Sequence, residues 1–360
     1  MSPSERAGAL LARGLAALPG PVARLLAGSP IRIDGQTLHR DVQIGLRLEG
    51  LVGGSDILPV EEARARRRHA ARIFAGSRIE VERVSDLRIP GPGGDIPARL
   101  YVPPDAGRSG PLVLYFHGGG HVIGDLDTHH QPCRFLARQT PARVLAVDYR
   151  LAPEHRFPAA VDDALAAFRW AVAEATALGA DPARIALAGD SAGANLAAAV
   201  AQLARDADPP PAFQALLYPV LDSSSRDRAS YELFGEGFFL TTEEMDWFRT
   251  NYFATEEERR DPRGSPLLAG DLSNLAPAFI LSCGFDPLRD EAEEYADRLR
   301  SAGVATTLRR EADLVHGFVN AVGLGGRAAE ALGSAAAALR AGLAGAEAQP
   351  QRSRVSAAPG

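Results

Sequence analysis

Short, continuous apolar runs recur along the chain from residue 111 onward. Such runs, in which polar residues do not alternate with apolar ones, are typical of parallel strands buried on both faces. Helical patterns separate them, and strands that alternate with helices predict βαβ units around a mainly parallel sheet. The predicted strands are 111–116, 143–148, 184–189, 213–218 and 278–283, and the clearest predicted helices are 159–178, 192–205 and 290–302.

Residues 1–85 have a different, helical character. An amphipathic stretch at 7–26 is interrupted by Pro-Gly-Pro at 19–21, and Pro59 opens a further helix that Gly76 closes. From residue 86 onward, segments 86–89 and 98–102 alternate like two strands around a Gly-Pro-Gly-Gly turn at 91–94. This pattern predicts a hairpin that adds an antiparallel edge to the sheet.

The fold class that follows is α/β, with helices on both faces of a mainly parallel sheet. We predict three regions: a helical region at 1–85, the sheet domain at 86–343, and a disordered tail at 344–360 that lacks any periodicity. Residues 222–264 interrupt the alternation, with a helix expected at 242–253, and hold eight aromatic residues in a chain with only 6% aromatics. Either an ordinary contact between a helix and the core or a substrate-pocket wall accounts for that concentration.

Composition and charge exclude several classes of protein. The net charge is −6, so an overall basic surface for nucleic acid is absent. No apolar run approaches the roughly 18 residues of a membrane helix, which argues against integral membrane insertion. All 39 basic residues are arginine, and one cluster of them follows Glu61 and Glu62, as in a solvated helix face. That cluster consists of Arg64, Arg66, Arg67, Arg68 and Arg72.

Two further features point to the cytoplasm. Cys133 and Cys283 have the spacing of neither a disulfide framework nor a metal site, and they suit reducing conditions. The apolar stretch near the N-terminus is interrupted by Arg13, and no convincing cleavage site of a signal peptide follows it. We therefore expect a cytoplasmic protein.

The strongest chemical signal is Gly-Asp-Ser-Ala-Gly at 189–193, between a predicted strand and a predicted helix. This context is typical of a nucleophile elbow, in which a sharp turn holds a serine above the sheet. Glycines are needed two residues on either side of Ser191, because side chains there would collide. The alternative is that Ser191 simply caps the helix.

A serine nucleophile needs an anion stabiliser, and His-Gly-Gly-Gly at 117–120 follows a predicted strand directly. Glycine backbone can approach a substrate closely, so the amides of Gly118, Gly119 and Ala192 are predicted to form an oxyanion hole. His117 is expected to support the loop. A flexible turn or a phosphate loop is the alternative, although neither common phosphate-loop pattern is present.

The general base is predicted to be His316. It is the only one of eight histidines that follows Ser191, and the hydrolase chain order is serine, acid, histidine. It also comes after the strand-like segment 306–310 and before a terminal helical pattern. A solvated loop histidine is the alternative.

The orienting acid is predicted to be Asp286, which follows the strand 278–283 at its carboxyl end, where sites of open α/β sheets assemble. Asp286 could instead cap the helix that Pro287 begins. Asp290 competes for the same role, and Asp313 is too near His316 in sequence to be the first choice.

With these residues in place, the chain resembles the hormone-sensitive-lipase family of α/β-hydrolases, in its bacterial Gly-Asp-Ser-Ala-Gly esterase branch. The resemblance runs from about residue 86 to 342 and depends on several motifs in order, at 117–120, 124–129, 148–155, 189–193, 265–267, 286–290 and 316–318. It implies an α/β-hydrolase fold with a helical cap built from 1–85 and the segment 222–264. Two positions depart from the family pattern, His121 in place of a bulky aromatic residue and His130 in place of a frequent acid.

The resemblance implies the same roles for Ser191, His316 and Asp286, and the same oxyanion hole. It implies hydrolysis of small acyl esters of short to medium chain length through an acyl-enzyme, without a cofactor or a metal, and a possible homodimer. The alternatives are a lipase for longer chains and an amidase or formamidase with the same triad. A non-catalytic ligand-binding protein on this fold is disfavoured because the histidine is present.

Overall fold

The computed structural model describes residues 2–51 and 57–347. Its N-terminal part is helical, as predicted, apart from one short hairpin. The first two helices are separated at 17–19, so Gly20 and Pro21 of the predicted break begin the second helix instead. The helix predicted between Pro59 and Gly76 is confirmed. The elements are α1 (Pro3–Ala16), α2 (Gly20–Ala27), β1 (Arg32–Ile33), β2 (Gln36–Thr37), α3 (Arg40–Leu51) and α4 (Val60–Phe74).

The rest of the chain forms an eight-stranded sheet in the order β10-β9-β8-β7-β5-β6-β4-β3. The predicted hairpin forms its antiparallel edge, since β4 pairs antiparallel with both β3 and β6, and all the other pairs are parallel. The strands are β3 (Arg83–Gly91), β4 (Gly94–Val102), β5 (Gly110–Phe116), β6 (Arg143–Val147), β7 (Ala180–Asp190), β8 (Phe213–Leu217), β9 (Ala278–Phe285) and β10 (Thr306–Val315).

Helices cover both faces of this sheet. The predicted helix 159–178 is divided at Glu174 into two, and the others lie close to their predicted bounds. They are α5 (His130–Gln139), α6 (Ala159–Ala173), α7 (Ala175–Leu178), α8 (Ala192–Leu203), α9 (Ala229–Phe234), α10 (Thr242–Tyr252), α11 (Glu256–Arg260), α12 (Arg289–Ser301) and α13 (Gly326–Glu347), with 3₁₀ helices at Pro266–Leu268 and Phe318–Leu324.

Two apolar cores lie on opposite faces of the sheet because successive side chains of a strand alternate. In β5, Leu112 and Leu114 face the core formed with α6, α8 and α12, whereas Val113 and Tyr115 face the core formed with α5 and α13. Both faces of β5 are therefore buried, which is why its sequence is continuously apolar. The small side chains of α8 let this helix pack closely on the sheet.

The terminal helix α13 continues to Glu347, so it includes the first four residues of the predicted tail. The rest of that tail, 348–360, lies outside the described residues, and the domain boundary at residue 85 stays a prediction. Within the described ranges no single helix is long and apolar enough to span a membrane. The pair α1 and α2, bent by 109° relative to each other, reaches that length and composition only when the two are counted together.

Candidate active site

Ser191 lies in a sharp turn between the end of β7 and the start of α8. Its φ of 54° is in the left-handed region, which is unusual for a residue with a side chain. A Cβ at Gly189 would lie 2.4 Å from the carbonyl carbon of Gly193, and one at Gly193 would lie 2.0 Å from the Phe116 oxygen. Both flanking glycines are therefore sterically required, as the sequence predicts.

Ser191, His316 and Asp286 form one hydrogen-bonded chain. His316 Nε2 is 2.9 Å from Ser191 Oγ, and His316 Nδ1 is 2.8 Å from Asp286 Oδ2. An ionised carboxylate can only accept, so Nδ1 carries the proton and Nε2 is left to accept from the serine hydroxyl. Asp286 is fully buried, and its other oxygen accepts from the Leu288 amide at 2.9 Å. The arrangement is the one that general-base activation of a serine requires.

The two competing acids point elsewhere. Asp290 accepts from the Ser230 amide at 2.8 Å and pairs with Arg289 Nε at 2.8 Å. Asp313 pairs with the guanidinium of Arg327 at 2.9 Å. Their carboxylates are therefore used in structural contacts, and the geometry favours Asp286 over both.

The prediction for Gly118 is wrong, because its amide is not available to a substrate. The Gly118 N–H donates to Asp190 Oδ1 at 2.9 Å inside the protein. A Cβ at Gly118 would lie 2.4 Å from Asp190 Oδ2, so this close approach also needs glycine. Gly119 and Gly120, with φ of 125° and 59°, line the cavity beside Ser191 instead. In the part of the chain that is described, neither of their amides donates to a protein group.

Asp190 is a residue whose role the sequence reasoning missed. It is buried and also accepts from the Tyr115 hydroxyl at 2.7 Å, and His129 Nε2 lies 3.3 Å from it. Burial opposes its ionisation, but the charge of the adjacent His129 and the hydrogen bond from Tyr115 outweigh burial and lower the pKa of Asp190. Asp190 thus fixes the glycine loop to the nucleophile turn. The only sequence signal was its place next to Ser191.

His117 supports the same loop from the other side, as predicted. Its Nδ1 is 2.9 Å from the Gly118 oxygen, and its ring stacks on Tyr149 with centroids 4.4 Å apart. Burial lowers the pKa of His117 to about 4, so the ring is neutral at physiological pH. It therefore serves as packing for the loop rather than as an acid or a base.

A cavity of about 210 Å³ lies above Ser191, Gly119 and Gly120. Its far wall comes from the aromatic segment 222–264, and the side chains that line it there include Phe239, Leu240, Met245, Phe248 and Tyr252. Two other aromatics of the segment, Phe234 and Phe238, pack against Phe285 in a separate buried cluster. The segment therefore provides both a wall of the pocket and an ordinary contact with the core, through different side chains.

The two departures from the family pattern have different positions. His121 lines the cavity, and its ring stacks on Tyr252 with centroids 4.0 Å apart and an interplanar angle of 9°. Burial lowers the pKa of His121 to about 3, so it is a neutral, polar replacement for an aromatic ring. His130 lies away from this cavity, where its Nδ1 contacts the Tyr101 hydroxyl at 2.9 Å and its Nε2 accepts from Arg134.

The expectation of a solvated arginine face is wrong for two residues of α4. Arg64 is largely buried and donates to the carbonyls of Val122 and Ala152, each at 2.9 Å. Arg67 lines the cavity above Ser191. The helix α4 is therefore seated directly on the loops of the site.

Among the described residues, no cluster of His, Cys, Asp and Glu side chains is arranged to hold a metal ion. The groups placed to act on a substrate at Ser191 are its hydroxyl, the imidazole of His316 backed by the carboxylate of Asp286, and backbone amides. This set can activate a hydroxyl and stabilise an oxyanion.

Comparisons with known proteins agree with this geometry. A family model for the alpha/beta hydrolase fold matches residues 113–320. A carboxylic ester hydrolase, LipN, of Mycobacterium tuberculosis is 48% identical over 337 residues, which cover 91% of this chain and 89% of that protein. An ethyl acetate hydrolase of Pseudomonas putida is 42% identical, over 76% of this chain and 87% of its own length. The solved esterase of Pyrobaculum calidifontis superimposes with a TM-score of 0.79 at 38% identity, over 84% of this chain and 98% of that one.

Proposed function

The chain belongs to the hormone-sensitive-lipase family of α/β hydrolases, and we propose that it is a serine carboxylesterase for short- to medium-chain acyl esters. Its class is that of the carboxylic ester hydrolases. Our proposal adds the roles of individual residues and the range of acyl groups. The observation that carries it is His316, which contacts both Ser191 Oγ and Asp286 Oδ2.

In the first step, Ser191 Oγ attacks the ester carbonyl carbon while His316 Nε2 takes its proton. Asp286 holds the imidazole in the tautomer that leaves Nε2 free and stabilises the imidazolium that forms. His316 then gives the proton to the leaving alcohol as the carbon–oxygen bond breaks. The product is an acyl group on Ser191.

The oxyanion of the tetrahedral intermediate is assigned to the amides of Gly119, Gly120 and Ala192. Ala192 is the first residue of α8, so its N–H lies at the positive end of that helix. Loss of one such donor typically lowers the rate by about 10²–10³. Because the Gly118 amide is bound to Asp190, the glycine amides of the proposed oxyanion hole are those of Gly119 and Gly120 rather than Gly118 and Gly119.

The second step repeats the chemistry with water. His316 removes a proton from the water as its oxygen attacks the acyl carbon, and the proton then returns to Ser191 as the acid leaves. The transfers between Ser191 and His316 use atoms that lie 2.9 Å apart. The side chains and backbone amides of the chain, together with water, account for every proton and bond in the reaction.

The size of the cavity supports the proposed acyl range. A volume of about 210 Å³ closed by Phe248 and Tyr252 fits a short or medium acyl chain better than a long one. A lipase activity is the second candidate, because α1 and α2 leave Leu10, Leu11 and Leu25 between 61% and 81% exposed, where a lipid surface could contact them.

Two further expectations stay predictions. Cys133 and Cys283 are both buried and unbonded, which fits a reducing compartment such as the cytoplasm. A homodimer is expected from the family resemblance alone.

The test is hydrolysis of p-nitrophenyl esters from acetate to palmitate by the wild type and by Ser191→Ala. We expect a maximum between acetyl and octanoyl esters, and a loss of kcat by about 10⁴ or more in the variant. The variant should keep the melting temperature and circular dichroism of the wild type. A maximum at palmitate would instead support the lipase, and a well-folded Ser191→Ala protein with a tenth of the activity would overturn the nucleophile assignment.

A further inference from the structure

Arg67 is the charged residue of α4 that lines the active-site cavity, on the same surface as Ser191 and His316. Its Nε atom is buried, and within residues 2–51 and 57–347 it has no hydrogen-bond partner. No carboxylate in those ranges pairs with its guanidinium either. A guanidinium carries five donors, so this side chain has unused capacity to bind an anion.

Other arginines of the same helix behave differently. Arg64 pairs with Glu154 at 2.7 Å, Arg68 with Asp125 at 2.6 Å and Arg72 with Glu5 at 2.8 Å. These three ion pairs attach α4 to the rest of the molecule. Arg67 makes no ion pair of this kind. The packing of α4 on the rest of the molecule therefore does not explain why the Arg67 side chain lines the cavity.

The two acids that line the same cavity as Arg67 have other partners. Asp190 receives hydrogen bonds from Tyr115 and Gly118 and contacts His129, as described above. Glu244, on the cavity wall, accepts from the amide of Thr241 at 3.0 Å in the capping box of α10. The charge of Arg67 still acts on Asp190, as one of the smaller contributions that oppose burial and lower its pKa. The guanidinium therefore lies within electrostatic range of the residue next to Ser191.

A partly desolvated cation without a partner lowers stability unless a ligand supplies the missing charge. A carboxylate is the natural complement, because its two oxygens match the planar fork of a guanidinium. We infer that Arg67 binds a carboxylate carried by the substrate, and that half-esters of dicarboxylic acids are preferred over neutral esters of equal length. This inference rests on the proposed esterase function.

The experiment compares monoethyl esters of dicarboxylic acids, from malonate to suberate, with ethyl alkanoates of matching length. Ethanol release gives kcat/KM for each substrate at a pH where the free carboxyl is ionised. Arg67→Met keeps most of the side-chain volume and removes the charge. Arg68→Met is the matched control, because Arg68 lies on the same helix and pairs with Asp125 outside this cavity.

We expect the wild type to favour the half-ester, and Arg67→Met to lower the ratio of the two kcat/KM values by about 10- to 100-fold, as for loss of a charge-assisted hydrogen bond. Arg68→Met should leave the ratio as in the wild type. The chain length with the largest ratio reports how far the guanidinium lies from the reacting carbon.

Two results would count against the inference in different ways. A wild type that hydrolyses the ethyl alkanoates but shows no preference for any half-ester, or an Arg67→Met ratio equal to that of the wild type, would overturn the role of Arg67 and leave the esterase function intact. A wild type that hydrolyses neither series would overturn the proposed function itself.

Discussion

The floor and the roof of the active-site cavity are built in opposite ways. On the floor, the polar side chains are held by hydrogen bonds inside the protein: Ser191 by His316, His316 by Asp286, and the glycine loop by Asp190. On the roof, the wall consists mainly of aromatic and aliphatic side chains, and the one arginine contributed by α4 has no protein partner in the described ranges.

This difference follows from the elements that carry the two surfaces. The floor residues stand at the carboxyl ends of strands whose neighbours fix the backbone, so their geometry is ready before a substrate binds. The roof comes from helices and loops of two separate segments, 222–264 and α4, which pack on the floor through side chains. The reaction itself therefore depends on the floor, whose backbone is fixed by the sheet. Substrate selection depends on the roof, whose side chains can change without disturbing the reacting groups.

Several polar contacts join the roof segment to α12 and the turn before it, among them those of Ser230 with Asp290 and Pro287, and one is made by a buried acid. Glu291 on α12 accepts from the Leu221 amide at 2.6 Å and from the Tyr231 hydroxyl at 3.0 Å. Leu221 directly precedes the roof segment 222–264, and Tyr231 lies near its beginning. Burial raises the pKa of Glu291 at this junction to about 8 and outweighs the opposing hydrogen bond from Leu221 and the charge of Arg228.

The largest effect is expected on the floor. Asp286→Asn removes the charge that orients His316, and kcat should fall by roughly 10³–10⁴ with little change in KM. Asp290→Asn is the control, because Asp290 lies four residues away and is bound to Ser230 and Arg289. Ester hydrolysis by both variants checks this. Equal losses in the two variants would reopen the choice of acid.

The next effect concerns the junction. Because the folded-state pKa of Glu291 lies above its ordinary value of 4.5, the folded protein binds one more proton than the unfolded chain between pH 4.5 and 8. The stabilisation from Glu291 is therefore complete below pH 4.5 and is lost as the pH rises towards 8. The change is on the order of a few kcal/mol.

Glu291→Gln should remove this part of the pH dependence. Urea unfolding at pH 5 and pH 8 measures it, and the variant should lose less stability than the wild type between the two pH values. The exposed Glu330 on α13 supplies the control variant Glu330→Gln, which should follow the wild type. If Glu291→Gln also follows the wild type, the carboxyl does not titrate in this range.

The smallest effect is expected on the roof. The ring of Phe248 packs over Gly120, where an added Cβ would lie 2.2 Å from it. Phe248→Ala should enlarge the cavity and raise the ratio of kcat/KM for hexanoyl over acetyl esters by about tenfold. Leu233→Ala, at an exposed position of the same segment, is the control. A loss of kcat that is equal for all acyl lengths would mean that Phe248 supports the floor rather than the pocket.

Much of the fold could be predicted because its signals are local. Buried strands show as continuous apolar runs, and the breaks at Pro19 and Gly76 show directly where helices end. The split of the predicted helix 159–178 at Glu174 was missed, since nothing in its composition interrupts the helical pattern. The site was predictable to the extent that it depends on steric rules within a few residues, as in the glycines around Ser191.

The sequence by itself determined the α/β architecture, the nucleophile turn and the order of serine, acid and histidine, because each depends on short-range periodicity, glycine sterics or chain order. Only the tertiary structure decided that Gly118 gives its amide to Asp190, 72 positions away, and that Arg67 faces the cavity while Arg64 and Arg68 make ion pairs. Those outcomes depend on which distant backbone and side-chain groups meet after packing. A helix pattern shows which residues share a face, but it does not show what that face will contact.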